Sequence, residues 1–319
     1  MCVFVRVCVY VCFYVCVYRM DKEFIVTHIY ATIWLTGHLT SIIGICFLCT
    51  RRWENLFLWL FSLYLFSNMT FAKNEKVINF FQPIFQRGFN GIRIIHESPL
   101  LGESRTMYCF HPHAIVANGF GVAMHDLEQR GIRVAVAAAR TLCAFNPAFR
   151  WFVNSYGCDL ISVDSVHLTR ALQAGKPVAL CPGGFEEVML MKPQKDVVYL
   201  SHRKGFVKYA IKFGYSLVPI FAFGESDLYE NAFPLPETVK RKCAQYGFPI
   251  VVPHGSSWWN FAPCKPEKGM LIVFGQAIHV TQSSSPTSEQ INTIHTKYIE
   301  AISVLYQKHN PYNRQLLIL

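Results

Sequence analysis

Two histidines two residues apart, in Phe110-His-Pro-His-Ala114, are the first residues of this 319-residue chain whose type and spacing suit catalysis. Imidazole has an unperturbed pKa near neutrality, so it can take and return a proton at physiological pH. Thr106 to Phe110 reads as a short buried strand that Pro112 ends, because proline donates no backbone hydrogen bond and biases the preceding residue towards extended backbone. Ala114 to Gln129 then has helical spacing, with apolar Ile115, Phe120, Met124 and Leu127. The pair thus stands where a strand stops and a helix starts, the crevice in which open α/β sheets bind ligands. In a chain with 12 histidines, two hydrogen-bonded structural side chains are the plainer alternative.

A second constellation is Ala179-Leu-Cys-Pro-Gly-Gly-Phe-Glu-Glu187. After an apolar run, Pro182, Gly183 and Gly184 let the backbone approach a ligand closely, and two carboxylates follow at a helix start. Acidic residues there also simply satisfy the helix dipole. Next, Ser201-His-Arg-Lys-Gly-Phe206 opens an amphipathic helix that ends at Gly214. Cationic Arg203 and Lys204 oppose the dipole, so a bound anion would relieve them; a solvated basic turn is the alternative. Cys109 and Cys181 raise an acyl-cysteine route, although free cysteines commonly serve as small buried apolar residues.

The elements that must position these groups alternate along the chain. Strand candidates are Ile92–Ile95, Thr106–Phe110, Val134–Ala138, Leu160–Val163, Pro177–Cys181, Ser216–Phe221 and Met270–Phe274. Helix candidates lie between them, notably Val166–Gln173, Phe206–Phe213 and Ser288–Lys308, the last with a stripe of Ile291, Ile294, Tyr298, Ile302 and Leu305. Such alternation predicts a layered α/β domain with a largely parallel or mixed sheet.

Apolar residues make up 52% of the chain and charged ones 16%, which points to membrane attachment. The net charge is +10, but its lysines and arginines are scattered with no basic stripe carrying interleaved aromatics, which argues against nucleic acid. An anionic membrane surface or a phosphate-bearing substrate fits better. Four of the 12 cysteines fall in the first 16 residues and the others are dispersed, which argues for reduced thiols rather than a structural zinc site. Residues 1–20, with their alternation of Val and Cys, read as low complexity or a gene-model extension. Residues 24–72 read as a transmembrane hairpin: Phe24 to Thr50 carries no Asp, Glu, Lys or Arg, and Leu56 to Phe71 forms a second, shorter apolar run. Lys73, Lys76, Arg87 and Arg93 favour a cytoplasmic domain over residues 73–319, against the opposing pair Arg51-Arg52.

Taken in order, His-Pro-His, Pro-Gly-Gly-x-x-Glu, Arg203-Lys-Gly-Phe-Val-Lys-Tyr-Ala-Ile-Lys-Phe-Gly214 and Phe223-Gly-Glu-Ser-Asp-Leu-Tyr229 resemble the type-2 diacylglycerol acyltransferase family. That family includes monoacylglycerol acyltransferases and wax-ester synthesising relatives. The resemblance runs from the apolar segments to near the C-terminus, and Phe274-Gly-Gln-Ala-Ile278 looks like the family's late Val-Gly-x-Pro-Ile element.

The resemblance implies an α/β fold related to the glycerolipid acyltransferases, preceded by the membrane hairpin, in the endoplasmic-reticulum membrane with the catalytic domain facing the cytosol. It implies acyl transfer from acyl-CoA, as co-substrate and with no cofactor or metal, to a glyceride hydroxyl. Membrane lipid is then a partner, nucleic acid is not, and homo-oligomerisation is left open. His113 is the expected base, His111 second or supporting, with Glu187 holding the Gly183-Gly184 loop. Asn118, Pro182, Gly183, Gly184, Arg203, Lys204, Gly205, Phe206 and Glu225 are the expected substrate-binding residues, Arg203 and Lys204 for CoA phosphates. Two departures stand out. Ala114 replaces the glycine of the family's His-Pro-His-Gly, and Asn118 stands where related acyltransferases, with His-x4-Asp, carry an aspartate. A Ser-His-Asp lipase is excluded by the lack of a Gly-x-Ser-x-Gly elbow. A lipid binder without turnover, and monoacylglycerol or a fatty alcohol as acceptor, remain the alternatives.

Overall fold

The computed structural model describes residues 43, 46–51, 53–69, 71–99, 105–232, 235–245, 251, 253–256 and 263–319. The segment expected at 1–20 and most of the first expected membrane segment lie outside them. In chain order the elements begin α1 (Trp53–Asn68), α2 (Glu75–Gly88), β1 (Ile92–His96), β2 (Thr106–His111), α3 (Asn118–Gln129), β3 (Ala135–Ala138), α4 (Arg140–Phe145) and α5 (Pro147–Ser155). There follow β4 (Asp159–Ser162), α6 (Ser165–Gln173), β5 (Val178–Leu180), α7 (Gly184–Leu190), β6 (Asp196–Val198), α8 (Gly205–Phe213) and β7 (Ser216–Phe223). The remainder is a 3-10 turn (Glu225–Asp227), β8 (Glu230–Asn231), α9 (Glu237–Gln245), β9 (Pro253–His254), β10 (Met270–Phe274), α10 (Ser288–His309) and β11 (Leu316–Ile318).

All seven expected strands meet in one sheet of order β1-β10-β7-β2-β5-β3-β4. From β7 to β4 every pairing is parallel, while β10 runs antiparallel to β7 and carries β1 parallel to itself, so the sheet is mixed as expected. Strands covered on both faces read as unbroken apolar runs. β2 is buried throughout, with Tyr108 and Phe110 facing the core beneath α3, and Met107 and Cys109 facing that beneath α6, α8 and α10. Three adjacent parallel strands, β5, β2 and β7, consequently end side by side, and their following loops carry the motifs.

Two expectations change. The first helix after β2 starts at Asn118, four residues later than its spacing suggested, because Ala114 (φ 47°) and Ala117 (φ 50°) adopt left-handed backbone that a helix cannot include. The second membrane segment is α1, 16 residues and so about 24 Å long. No helix among the described residues is long and apolar enough to cross a membrane, so a spanning hairpin is not supported. α1 instead leaves Trp53, Phe57, Leu58, Phe61 and Leu65 exposed. The cysteines include one Cys-x-x-Cys pair, Cys46 and Cys49, both free and exposed, contrary to a purely dispersed set.

Candidate active site

His111 is the last residue of β2 and is fully buried. Its Nε2 lies 3.0 Å from the Tyr298 hydroxyl of α10, and its Nδ1 lies 3.7 Å from Oε2 of Glu187, longer than a direct hydrogen bond. Enclosed in this way, it does not line the cavity described below.

His113, two residues on, is half-buried and does line that cavity. Its Nδ1 is 3.0 Å from the Ala114 carbonyl oxygen. A carbonyl only accepts, so Nδ1 carries the proton and Nε2 is left with a free lone pair. The His113 backbone N–H donates to Oε1 of Glu187 at 2.5 Å, and the Tyr199 N–H donates to Oε2 at 2.8 Å. Glu187 therefore ties the histidine loop to the segment before α8 from a buried position. Gly183 makes this seat available, since a Cβ there would fall on the Glu187 carboxylate. Burial pushes the Glu187 carboxyl up, but His111 and the Tyr199 and His113 backbone N–H groups outweigh it and hold the group below its ordinary range.

The other end of the loop is held by a second buried carboxylate. α3 has no capping side chain of its own, because Ala117 stands at its N-cap. Glu225, from the turn after β7, supplies the cap: Oε1 accepts from the Asn118 N–H at 2.7 Å and Oε2 from the Gly119 N–H at 2.6 Å. A Cβ on Gly119 would lie 2.6 Å from Oε2, so that glycine is what admits the carboxylate. Burial pushes this carboxyl up to about 7, only partly offset by the Gly119 and Asn118 backbone N–H groups and by the Asn118 side chain. Glu225 thus positions Asn118 and does not itself line the cavity.

The cavity has a volume of about 490 Å³ and lies over the carboxyl ends of β2 and β5, between α3 and α5. Its wall is mostly apolar, with Val116, Phe120, Met124 and Phe152 among the lining residues. His113, Asn118, Pro182, Gly184 and Arg203 also line it; Gly183, Lys204, Gly205 and Phe206 do not. Phe206 packs instead in the opposite core, 4.9 Å from the Tyr298 ring in a T-shaped contact. Gly205 merely opens α8, and Lys204 donates to Oδ1 of Asn292 at 2.8 Å. Arg203 is paired with Glu186, which supplies much of the negative charge that the basic turn had seemed to require. The Asn118 amide nitrogen is buried with no well-aligned hydrogen-bond partner among the described residues, although its side chain lies beside the Glu225 carboxyl and helps to hold it down.

Burial raises the Cys109 and Cys181 thiols, which opposes the thiolate an acyl-cysteine route needs. No group of three or more His, Cys, Asp or Glu suited to a metal occurs among the described residues. Sequence reasoning missed two residues here. Tyr298 was read only as part of an apolar stripe, and His125 of α3, which lines the cavity, carried no local signal at all.

Comparison with known proteins adds to this geometry. The chain is 29% identical over 255 residues to diacylglycerol O-acyltransferase 2 of Homo sapiens, covering 75% of this chain and 64% of that protein. It is 30% identical over 233 residues to 2-acylglycerol O-acyltransferase 1 of Homo sapiens, covering 68% of this chain and 69% of that one. The chain accordingly spans just under two thirds of the first of these relatives. The crystal structure of a 1-acyl-sn-glycerophosphate acyltransferase from Thermotoga maritima shares 14% identity at a TM-score of 0.40, covering 87% of this chain and 94% of that one, too loose an overlay to equate residues. Residues 45–314 match the family model described as Diacylglycerol acyltransferase, and on the extent of that match the chain belongs to the diacylglycerol acyltransferase family.

Proposed function

We propose that this protein transfers a fatty acyl group from acyl-CoA to the free hydroxyl of diacylglycerol, with His113 as general base and no covalent enzyme intermediate. The observation that carries this reading is the unpartnered Nε2 of His113 at the wall of a large apolar cavity, its other nitrogen committed to the Ala114 carbonyl. A thioester is already activated, so the reaction chiefly needs a base and a donor for the oxyanion, not a metal or prosthetic group. His113 Nε2 takes the acceptor's hydroxyl proton as its oxygen attacks the thioester carbon. The tetrahedral oxyanion collapses, the C–S bond breaks, and the imidazolium returns the proton to the leaving CoA sulfur. Asn118 Nδ2, buried at the cavity wall beside the Glu225 carboxyl, is the donor we assign to the oxyanion. Glu187, His111 and Tyr298 act by fixing the loop that carries His113.

Arg203, 35% exposed at the rim, is the residue we assign to a CoA phosphate, which would compete with Glu186 for it. We assign residues 73–319 to the acyltransferase domain and the exposed apolar face of α1 to membrane lipid, in the endoplasmic reticulum with the domain on the cytosolic side. Monoacylglycerol as acceptor is the second reading, favoured by the likeness to 2-acylglycerol O-acyltransferase 1 of Homo sapiens.

The test is acyl transfer by microsomes from yeast lacking its own neutral-lipid synthesis, given labelled acyl-CoA and each acceptor separately. His113→Ala should lower turnover by roughly 10²- to 10⁴-fold, the span of general-base contributions. Retained turnover in His113→Ala would remove the base; no product from any acceptor, with the wild type well expressed, would remove the acyltransferase reading.

A further inference from the structure

His125 sits on α3 with 9% of its surface accessible, and it lines the same cavity as His113. Among the described residues neither ring nitrogen has a hydrogen-bond partner, and the ring meets Tyr156 edge-on at 5.5 Å. A buried imidazole forgoes hydrogen bonds with water on folding, so two unpartnered nitrogens are a costly thing to place in an apolar wall. Burial lowers its pKa, ahead of the nearby charges of Glu128, Lys73, Asp126 and Glu75, so the ring is neutral and offers one donor and one acceptor. Its position along the helix says what it could meet. Asn118 and His125 both line the cavity and are seven residues apart, about 10 Å along α3. A glyceride with its free hydroxyl at His113 would extend its ester groups along this face, past Gly121 and Val122, towards His125. A fatty alcohol, or an acyl chain, has no oxygen to present there.

We propose that His125 is a specificity-determining residue that donates a hydrogen bond to an ester carbonyl of the glyceride acceptor. This rests on the acyltransferase reading above and adds to it a reason for preferring glycerides over acceptors of similar apolar bulk. The contact is made in substrate and transition state alike, so its loss falls on KM more than on kcat.

The discriminating pair of acceptors is a 1,2-diacylglycerol and the matching 1,2-dialkylglycerol, whose ether oxygens replace the esters and whose carbonyls are gone. The full chain in membranes should prefer the ester by roughly three- to tenfold in kcat/KM, the worth of one neutral hydrogen bond. His125→Phe should bring that ratio towards one, mainly through KM, and His125→Gln, which keeps an N–H donor, should restore part of it. Equilibrium binding of the same two labelled glycerides, in the same preparations, separates the two readings. Wild type without turnover on either glyceride overturns the reading of diacylglycerol as acceptor, on which this role rests. Equal binding of ester and ether by the wild type overturns the role of His125, as does an ester preference that survives in His125→Phe. Should His125→Phe fail to accumulate, His125→Gln with an unchanged melting temperature and a reduced ratio supports the role; an unchanged ratio with raised KM for both acceptors overturns it.

Discussion

Glu187 and Glu225 are the same residue type, equally buried at 1% exposure, and each accepts two backbone N–H groups, Glu187 one from the loop between β2 and α3 and Glu225 both from the first turn of α3. Each also depends on its own glycine, Gly183 in one case and Gly119 in the other. Their protonation nevertheless diverges. Glu187 has the His111 ring 3.7 Å away and is held below the ordinary carboxylate range, whereas Glu225 meets only neutral donors and is pushed up to about 7. Burial and two hydrogen bonds therefore do not fix a carboxylate's charge by themselves; a neighbouring imidazole decides it. The loop that carries His113 and Asn118 is clamped by a charged residue at one end and a titrating one at the other.

The most severe way to break this comparison is Glu187→Gln, which offers one acceptor to two buried donors. One N–H is then orphaned, and we expect a loss of about 3 kcal/mol in stability together with a large drop in acyl transfer, read by thermal unfolding and by the microsomal assay. Loss of transfer with an unchanged melting temperature would mean that Glu187 does more than hold the loop. Glu225→Gln tests the other clamp through pH. A folded pKa raised above the unfolded value means that the native state holds the proton longer. Its contribution is therefore complete below the ordinary carboxylate range and lost as pH rises through about 7. The wild type should lose on the order of 2 kcal/mol of stability between about pH 5 and 8 from this group, and Glu225→Gln should flatten that slope. Glu187 works in the opposite sense, its contribution present at neutral pH and lost only in acid. The smallest effect is expected between the clamps: Ala114→Gly relieves a left-handed alanine and should raise stability by about 1 kcal/mol, seen as a melting temperature a few degrees higher. An unchanged or lower melting temperature would show that the buried methyl compensates for its backbone.

The sheet was legible because its central strands are buried on both faces, so Thr106, Ser216 and Met270 each begin the strand the sequence suggested, and Ile92 begins the half-exposed edge strand. What periodicity does not carry is backbone handedness, so the left-handed alanines at 114 and 117 moved a helix start. The candidate site was legible in part. His113, Asn118, Pro182, Gly184 and Arg203 line one cavity as their motifs suggested. Arg203 seemed to call for an external anion because a local dipole argument cannot see Glu186 turning back from the preceding helix. Phe206 belongs to a conspicuous motif yet serves the opposite core. Tyr298 met the helical apolar pattern, which is silent on where its hydroxyl points. The membrane reading rested on hydropathy, composition and flanking charge, which do not separate a spanning helix from one such as α1 with an exposed apolar face.

The bond between His111 and Tyr298 joins residues 187 positions apart, and those from Glu187 and Glu225 to the loop span 74 and about a hundred. At about 5 to 20 residues per second, a ribosome that has made His111 needs on the order of ten seconds or more to deliver its phenolic partner. During that interval β2 and its loop wait without the groups that fix them. The loop that carries His113 is consequently among the last parts of the chain to become native, and a nascent or prematurely terminated polypeptide can expose the apolar cavity wall before that loop is fixed over it. Exposure to proteostasis machinery should concentrate in that window, well before the candidate site is complete.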